Sequence, residues 1–209
     1  MAVVPSGQVG EGLTERDRQR EETRRRVREV ALEVIRRDGL GDARVDEIAR
    51  LAGVSRGTVY FHYPTKEHVV AEVLAEAEGR IAMALRELPR QASLTEVLGC
   101  FSAAFVKEWE REARLFPSVA SVAVRGAATT MRSREAGTVL VTMATRFKLA
   151  TERGELTGTM RAPVIANVFL MNVLTATLAW SVGPRLRLAT VLDDAVHIFL
   201  DGARGGPRR

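Results

Sequence analysis

Between positions 44 and 66 the chain gathers side chains suited to holding phosphates and base edges. They are Arg44, then Ser55-Arg56-Gly57-Thr58-Val59-Tyr60-Phe61-His62-Tyr63, and Lys66. An arginine fork matches a guanine edge, while hydroxyls, lysine and backbone amides fit phosphate oxygens. The residues just upstream supply a scaffold for that chemistry. Ile48, Ala52, Val54 and Val59 are spaced as the apolar contacts between two short helices, and Ala49 is small where the second helix crosses the first. Gly53 permits the left-handed turn between them. Ser55 is placed to cap the second helix, whose first residues then face outward. Arg56 reads a guanine edge in this arrangement, Gly57 lets backbone approach closely, and Thr58 and Tyr60 present hydroxyls to phosphate or base. Ala-Gly-Val-Ser alone is better read as an ordinary helix turn in an all-α core. The cluster Tyr60, Phe61, His62 and Tyr63 favours binding of double-stranded DNA, because a core helix has little use for so many hydrogen-bonding tips.

Other chemistries find little support. His62, His68 and His197 lack a metal-ligand spacing, and Cys100, the single cysteine, excludes an intrachain disulfide and has no local histidine or asparagine. No phosphate-binding glycine fingerprint follows a strand pattern. Asp193 and Asp194 are adjacent on a helix and point to different sides. The expectation is no catalytic residue, no metal and no cofactor.

The elements that position these residues are read from periodicity. In 209 residues, 46% hydrophobic and 27% charged describe a globular chain rather than a disordered or collagenous one. The net charge is +5, and +4 of charge is concentrated between Arg16 and Arg28. There Glu21/Arg25 and Glu22/Arg26 are spaced as i,i+4 pairs, so a solvated helix face competes with a DNA-flanking role. Residues 1–13 read as a flexible leader. Thr14 and Asp17 form a loose capping box for a helix whose core face is Val27, Val30, Ala31, Val34 and Ile35, ending at Asp38-Gly39. Thr65 is placed to cap a helix from Lys66 to about Glu87. Leu94, Leu98, Phe101, Phe105 and Trp109 mark the next helix, Pro117 opens a short one, and Val139, Met143 and Phe147 mark one reaching about Glu152. No period-two alternation is long enough for a strand, so the fold class is all-α.

The stretch 162–184 has no charged residue and is long enough to cross a membrane. Asn167, Asn172, Thr175, Thr177 and Ser181 are spread around it, arginines 161 and 185 flank it, and an amphipathic helix of about 186–201 comes next. A helix apolar all round is then better read as buried by its own core and by a partner subunit. Residues 202–209 read as a basic, glycine-rich tail. With one cysteine and no signal-peptide pattern, the expected location is the cytoplasm.

The stretch from Val27, Val30-Ala31, Val34-Ile35 and Gly39 through Ile48-Ala49…Ala52-Gly53-Val54-Ser55-Arg56-Gly57-Thr58-Val59-Tyr60-Phe61-His62-Tyr63-Pro64-Thr65-Lys66-Glu67 resembles the TetR family of bacterial transcriptional repressors. Arg153-Gly154-Glu155-Leu156 is similar to the turn such proteins carry before their dimerisation helices. The resemblance implies a three-helix DNA-binding domain (14–65) followed by a helical effector-binding and dimerisation domain (66–201). It implies Tyr60, His62 and Lys66 as phosphate contacts, and Arg56, Gly57 and Thr58 as groove-facing positions. Where the family opens the first motif helix with two hydroxyl residues, this chain has Ala43-Arg44; Asp42 is then the expected cap, and Arg44 the phosphate contact. The resemblance further implies a homodimer through helices of about 162–183 and 186–201, and a small-molecule effector that releases the operator. The uncharged helix and the stripe Leu188, Leu192, Ala195, Phe199 both call for a partner surface. Phe101, Phe105, Trp109, Met143, Phe147 and Met171, with Asn167, are the expected pocket lining, against the alternative that such a stripe is core packing. The other function class is a helical DNA-binding regulator or architectural protein without an effector, with or without a membrane tether.

Overall fold

Thr14 opens the first helix with both halves of a capping box: its Oγ1 accepts from the Asp17 amide, and the Asp17 carboxylate accepts from the Thr14 amide. The structure is a computed structural model and describes residues 14–133, 138–156, 160–183 and 185–203. The expected leader and positions 204–209 of the expected tail lie outside the described residues. The helices are α1 (Glu15–Asp42), α2 (Val45–Ala52), α3 (Arg56–His62), α4 (Lys66–Glu87) and α5 (Leu94–Trp109), then α6 (Phe116–Ser133), α7 (Thr138–Glu152), α8 (Ala162–Val182) and α9 (Leu188–Ala203). Among the described residues there is no strand, and the fold class is all-α.

Helix α1 runs past the expected end. Gly39 interrupts it at φ 82°, a left-handed value that favours glycine, and one more turn follows before Ala43. Val27, Ala31, Val34 and Ile35 bury against Ile48, Ala49, Ala52 and Val59 of the next two helices and against Val69 and Val70 of α4, forming a small core around the turn. The arginines of α1 are shared out differently from the expected i,i+4 pairs. Arg25 bridges Glu22 and Glu29, and Arg26 Nε donates to the Ala52 carbonyl at 3.0 Å, binding the end of α2 to α1. Arg24 grips Glu72 with both terminal nitrogens at 3.1 and 2.6 Å, and Arg28 reaches Glu76 at 2.7 Å, fastening α1 along α4.

The second half packs α7 between α4 and α8, with α9 against α8 and α5. Phe101, Phe116, Phe147 and Phe169 lie among the most deeply buried side chains of its core. Pro117 sits at the start of an 18-residue helix rather than a short one, and residues 202–203 still belong to α9. Leu188 and Leu192, expected to face a partner, are wholly buried in this chain's own core, because α9 turns that stripe inward and Phe199 packs on Phe147 and Phe169. The large apolar side chain that α9 leaves outside, among the described residues, is Ile198, at 75% exposure.

The motif Arg153-Gly154-Glu155-Leu156 closes α7 onto the loop before α5. Gly154 adopts φ 75°, Arg153 donates to the Ala92 carbonyl at 2.8 Å, and the Glu155 carboxylate accepts from the Leu94 amide.

Candidate nucleic-acid interface and effector core

The turn between α2 and α3 has the geometry its residues dictate. Gly53 sits at φ 65°, ψ 36°, and its amide closes α2 on the carbonyls of Ala49 and Arg50. Ser55 Oγ then accepts from the Thr58 amide at 3.0 Å and lies 2.9 Å from Thr58 Oγ1, so both hydroxyls are engaged with each other at the start of α3. Val59 points inward, while Tyr60 and Phe61 are left 43% and 65% exposed. Tyr63 departs from the expected surface cluster: at 3% exposure it is part of the core, under the Arg24 guanidinium 4.9 Å from its ring. Burial first, and then Glu72 beside it, push its phenol up to about 12.

Arg56 stands at the first turn of α3, exposed, with Nη1 3.0 Å from Asp46 Oδ1 on α2. A hydrogen bond to Tyr60, then the Asp46 charge, hold its guanidinium protonated more firmly than usual. Both contacts tie the guanidinium to the exposed surface of α2 and α3. Gly57 has ordinary helical backbone, and the nearest atom to a Cβ added there is Ser55 Oγ at 3.6 Å, an unstrained contact. The fold itself therefore does not require glycine at 57. Arg44 is exposed and occupies the N-cap position of α2, which has no side-chain cap; Asp42, expected to cap, is bypassed because the chain turns at Ala43, whose methyl is buried.

His62 ends α3, half-buried, with its ring edge-on to Phe61 at 5.1 Å. Burial, and then the Arg20 and Arg24 charges, push its imidazole below the ordinary value. Arg20 stacks its guanidinium 4.9 Å from the Phe61 ring, and Asp17, Arg20, Glu21, Arg24, Phe61 and His62 enclose a cleft of about 460 Å³ between α1 and α3. Sequence reasoning missed this cleft, although the i,i+3 and i,i+4 spacing of Asp17, Arg20, Glu21 and Arg24 already put them on one face of α1.

Lys66 turns its ammonium back to the carbonyls of Gly41 at 2.6 Å and Ala43 at 3.0 Å, which leaves one N–H for any phosphate. Thr65 makes no cap to α4; its Oγ1 lies 3.0 Å from His68 Nδ1 instead. Two further contacts join the motif to the second half of the chain. Arg36 pairs through Nε and Nη2 with Glu112 at 2.9 and 3.0 Å, and the Leu40 amide, freed by the Gly39 kink, donates to Ser118 Oγ at 3.2 Å in a buried setting.

The residues expected to line an effector pocket lie on α5, α7 and α8. Phe101, Trp109, Met143 and Phe147 are buried. Phe105 lies 5.6 Å from Phe101 and 6.4 Å from Trp109, Phe169 and Phe116 complete the cluster with edge-on rings, and Asn167 and Met171 lie half-buried on α8 beside it. None of the seven lines the cavities formed by the described residues at α1/α3, α4/α7 or α8/α9. Rings at helical spacing from several helices meet edge-on or tilted in this cluster. Arg146 escaped sequence reasoning altogether. Its guanidinium is nearly buried and donates to the carbonyls of Leu85, Leu88 and Pro89, satisfying the end of α4. Among the described residues no group of His, Cys, Asp or Glu is arranged to hold a metal ion.

Among known proteins, residues 27–73 match the family model described as bacterial regulatory proteins, tetR family. The HTH-type transcriptional regulator SrpR of Pseudomonas putida is 50% identical over 58 residues, 28% of this chain, so the chain matches only 27% of that relative's length. The HTH-type transcriptional regulator EthR of Mycobacterium tuberculosis is 28% identical over 179 residues, covering 81% of both proteins. Among solved structures, FadR of Thermus thermophilus, described as a TetR-family transcriptional repressor in complex with lauroyl-CoA, shares the fold. Its TM-score is 0.67 at 24% identity, with 89% of this chain and 98% of that one covered.

Proposed function

From the match of residues 27–73 to the tetR family of bacterial regulatory proteins, we propose that the chain is a member of that family and acts as a cytoplasmic, dimeric, sequence-specific DNA-binding repressor, released from its operator by a small, mostly apolar ligand. The observation that carries the reading is the α2–α3 pair. A left-handed Gly53 turn and a Ser55 cap leave Arg56, Gly57 and Tyr60 on the outer face of a short helix, the arrangement that enters a major groove. Arg56 is assigned to a guanine edge, Thr58 to the groove, and Tyr60, His62, Arg44 and the third N–H of Lys66 to phosphates. Residues 14–65 form the DNA-binding part and 66–201 the effector and dimerisation part.

The dimer is supported by α8. Val164, Val168, Met171, Thr175, Leu178 and Val182 recur at alternating steps of four and three, the spacing of a coiled-coil seam, and Val182 is 82% exposed. The opposite face carries buried Ala166, Phe169, Val173, Thr177 and Trp180. This helix is long and apolar enough to cross a membrane by length and composition. Its two apolar faces are accounted for by the chain's own core on one side and a second copy on the other, and no membrane is needed in the reading.

The ligand part draws support from the fold's use by a repressor holding lauroyl-CoA. The burial of Phe101, Met143 and Phe147 supports the second reading, a regulator without an effector. Selection of bound sites from random DNA tests the main reading. It should return a two-fold symmetric site with half-sites about one helical turn apart, near 34–36 Å. Arg56→Ala should cost about 1–3 kcal/mol on that site and relax base preference at one position per half-site. Equal weakening on selected and random DNA would remove Arg56 from base reading. A screen of the operator complex against small apolar compounds separates the two readings, since a regulator without an effector responds to none.

A further inference from the structure

A second groove, of about 590 Å³, opens between the C-terminal end of α4, the loop leading to α5 and the outer face of α7. Its volume lies within the range of about 300–1,000 Å³ common for small-molecule sites. Leu88, Val141 and Leu149 give it an apolar floor, and cations surround that floor against a single lining carboxylate, Glu152. The end of a helix normally attracts cations to its unmet carbonyls, which would be the ordinary explanation for arginines here. That role is already filled: Arg146 donates to the carbonyls of Leu88 at 2.7 Å and Pro89 at 2.8 Å, and also to that of Leu85. Arg86 and Arg90 enter no ion pair among the described residues, unlike Arg24, Arg28, Arg36 and Arg37 on α1. Lys148 reaches Glu152 at 3.9 Å, with both side chains more than half exposed, a loose and solvent-screened pair.

We propose that this groove binds an amphipathic phosphate, a phosphate monoester joined to an apolar or aromatic body. Arg86, Arg90 and Lys148 hold the phosphate, and Leu88, Val141 and Leu149 carry the body. A dianion with three terminal oxygens answers two arginine forks and an ammonium together, whereas a carboxylate leaves part of that charge unmet. A nucleotide and a lipid phosphate share this chemistry. The site lies at the far end of the helix whose first residue, Lys66, holds the end of α1, so occupancy bears on the helix that joins the two halves of the chain. That consequence rests on the operator-binding reading; binding itself does not.

Calorimetric titration of the full chain with octyl phosphate, adenosine monophosphate, octanoate and inorganic phosphate tests the site without DNA. We expect octyl phosphate or the nucleotide to bind once per chain, at least tenfold tighter than inorganic phosphate and octanoate. Which of the two binds identifies the body. Arg86→Ala/Arg90→Ala should weaken it at least tenfold with an unchanged melting temperature. Absence of binding by both organic phosphates, parity with inorganic phosphate or octanoate, or equal affinity in the double variant would each overturn the proposal. Failure of operator binding would leave these readouts untouched.

Discussion

Nothing in the folded chain requires glycine at position 57. Its helical backbone suits any residue, and a methyl there meets no closer atom than Ser55 Oγ at 3.6 Å. Gly57→Ala should therefore keep or slightly raise the unfolding midpoint, since alanine favours a helix by roughly 0.5–1 kcal/mol. It should weaken operator binding about tenfold, about 1.4 kcal/mol, if the backbone at 57 rests against DNA as the reading requires. Anisotropy titration beside a urea melt separates the two effects; unchanged affinity would place the DNA elsewhere. His62 gives a prediction in pH. Its imidazole is pushed down chiefly by burial and then by Arg20 and Arg24, so the folded chain binds that proton less readily than the unfolded one. Stability in the free protein is then full above about pH 6.5 and is lost as pH falls below it. A phosphate beside the ring reverses the sign, because it favours the imidazolium. Operator affinity should rise between pH 7.5 and 6.0 by at most about tenfold per unit, the limit for one proton. His62→Gln should flatten that rise, and a pH-independent wild type would take His62 off the phosphate.

At the level of elements, α4 is the piece that both halves of the chain hold. Lys66 clasps the end of α1 through two carbonyls at its start, and Arg146 satisfies its other end. Lys66→Ala should lower stability by about 1 kcal/mol, the usual net worth of such hydrogen bonds near the surface. It should also reduce the salt slope of operator binding by about one, through the remaining N–H. An unchanged slope with lowered stability would assign the ammonium wholly to the clasp. The turn and its flanking helices were legible in the sequence because Gly53, Ser55 and Ile48…Val59 act over a few residues, where spacing fixes geometry. What the sequence did not disclose depends on partners far along the chain. Arg36 meets Glu112 across 76 positions and Leu40 meets Ser118 across 78, and neither spacing has a local signature. Periodicity identified Phe101, Phe105 and Trp109 as one stripe, but whether stripes from several helices interlock or enclose space is decided between helices. The α9 stripe failed in the same way: an amphipathic pattern names an apolar face without saying which neighbour covers it, and Leu188 and Leu192 turned out to be covered from within.

For the whole molecule, the proposed dimer rests on the outer face of α8. Val168→Glu/Leu178→Glu places two carboxylates on the proposed seam while leaving the buried face of α8 untouched. Sedimentation should show a monomer with a near-native melting curve, and operator affinity should fall by at least 100-fold, because two half-sites are then no longer held by one particle. A dimer that survives the double substitution would move the interface off α8. The kink at Gly39 bears on how such a chain can be cut and rejoined. By breaking α1, it strands the Leu40 amide, and the hydroxyl that receives this amide belongs to α6, inside the other half of the protein. The proposed DNA-binding part is thus tied to the rest of the chain by a buried hydrogen bond. A chimera that grafts residues 14–65 onto a foreign sensor inherits an unmet buried donor, costing about 1–3 kcal/mol, unless the new body offers an acceptor at the same spot. Transplants that carry the segment around Glu112 and Ser118 along with those residues keep the socket and its plug together.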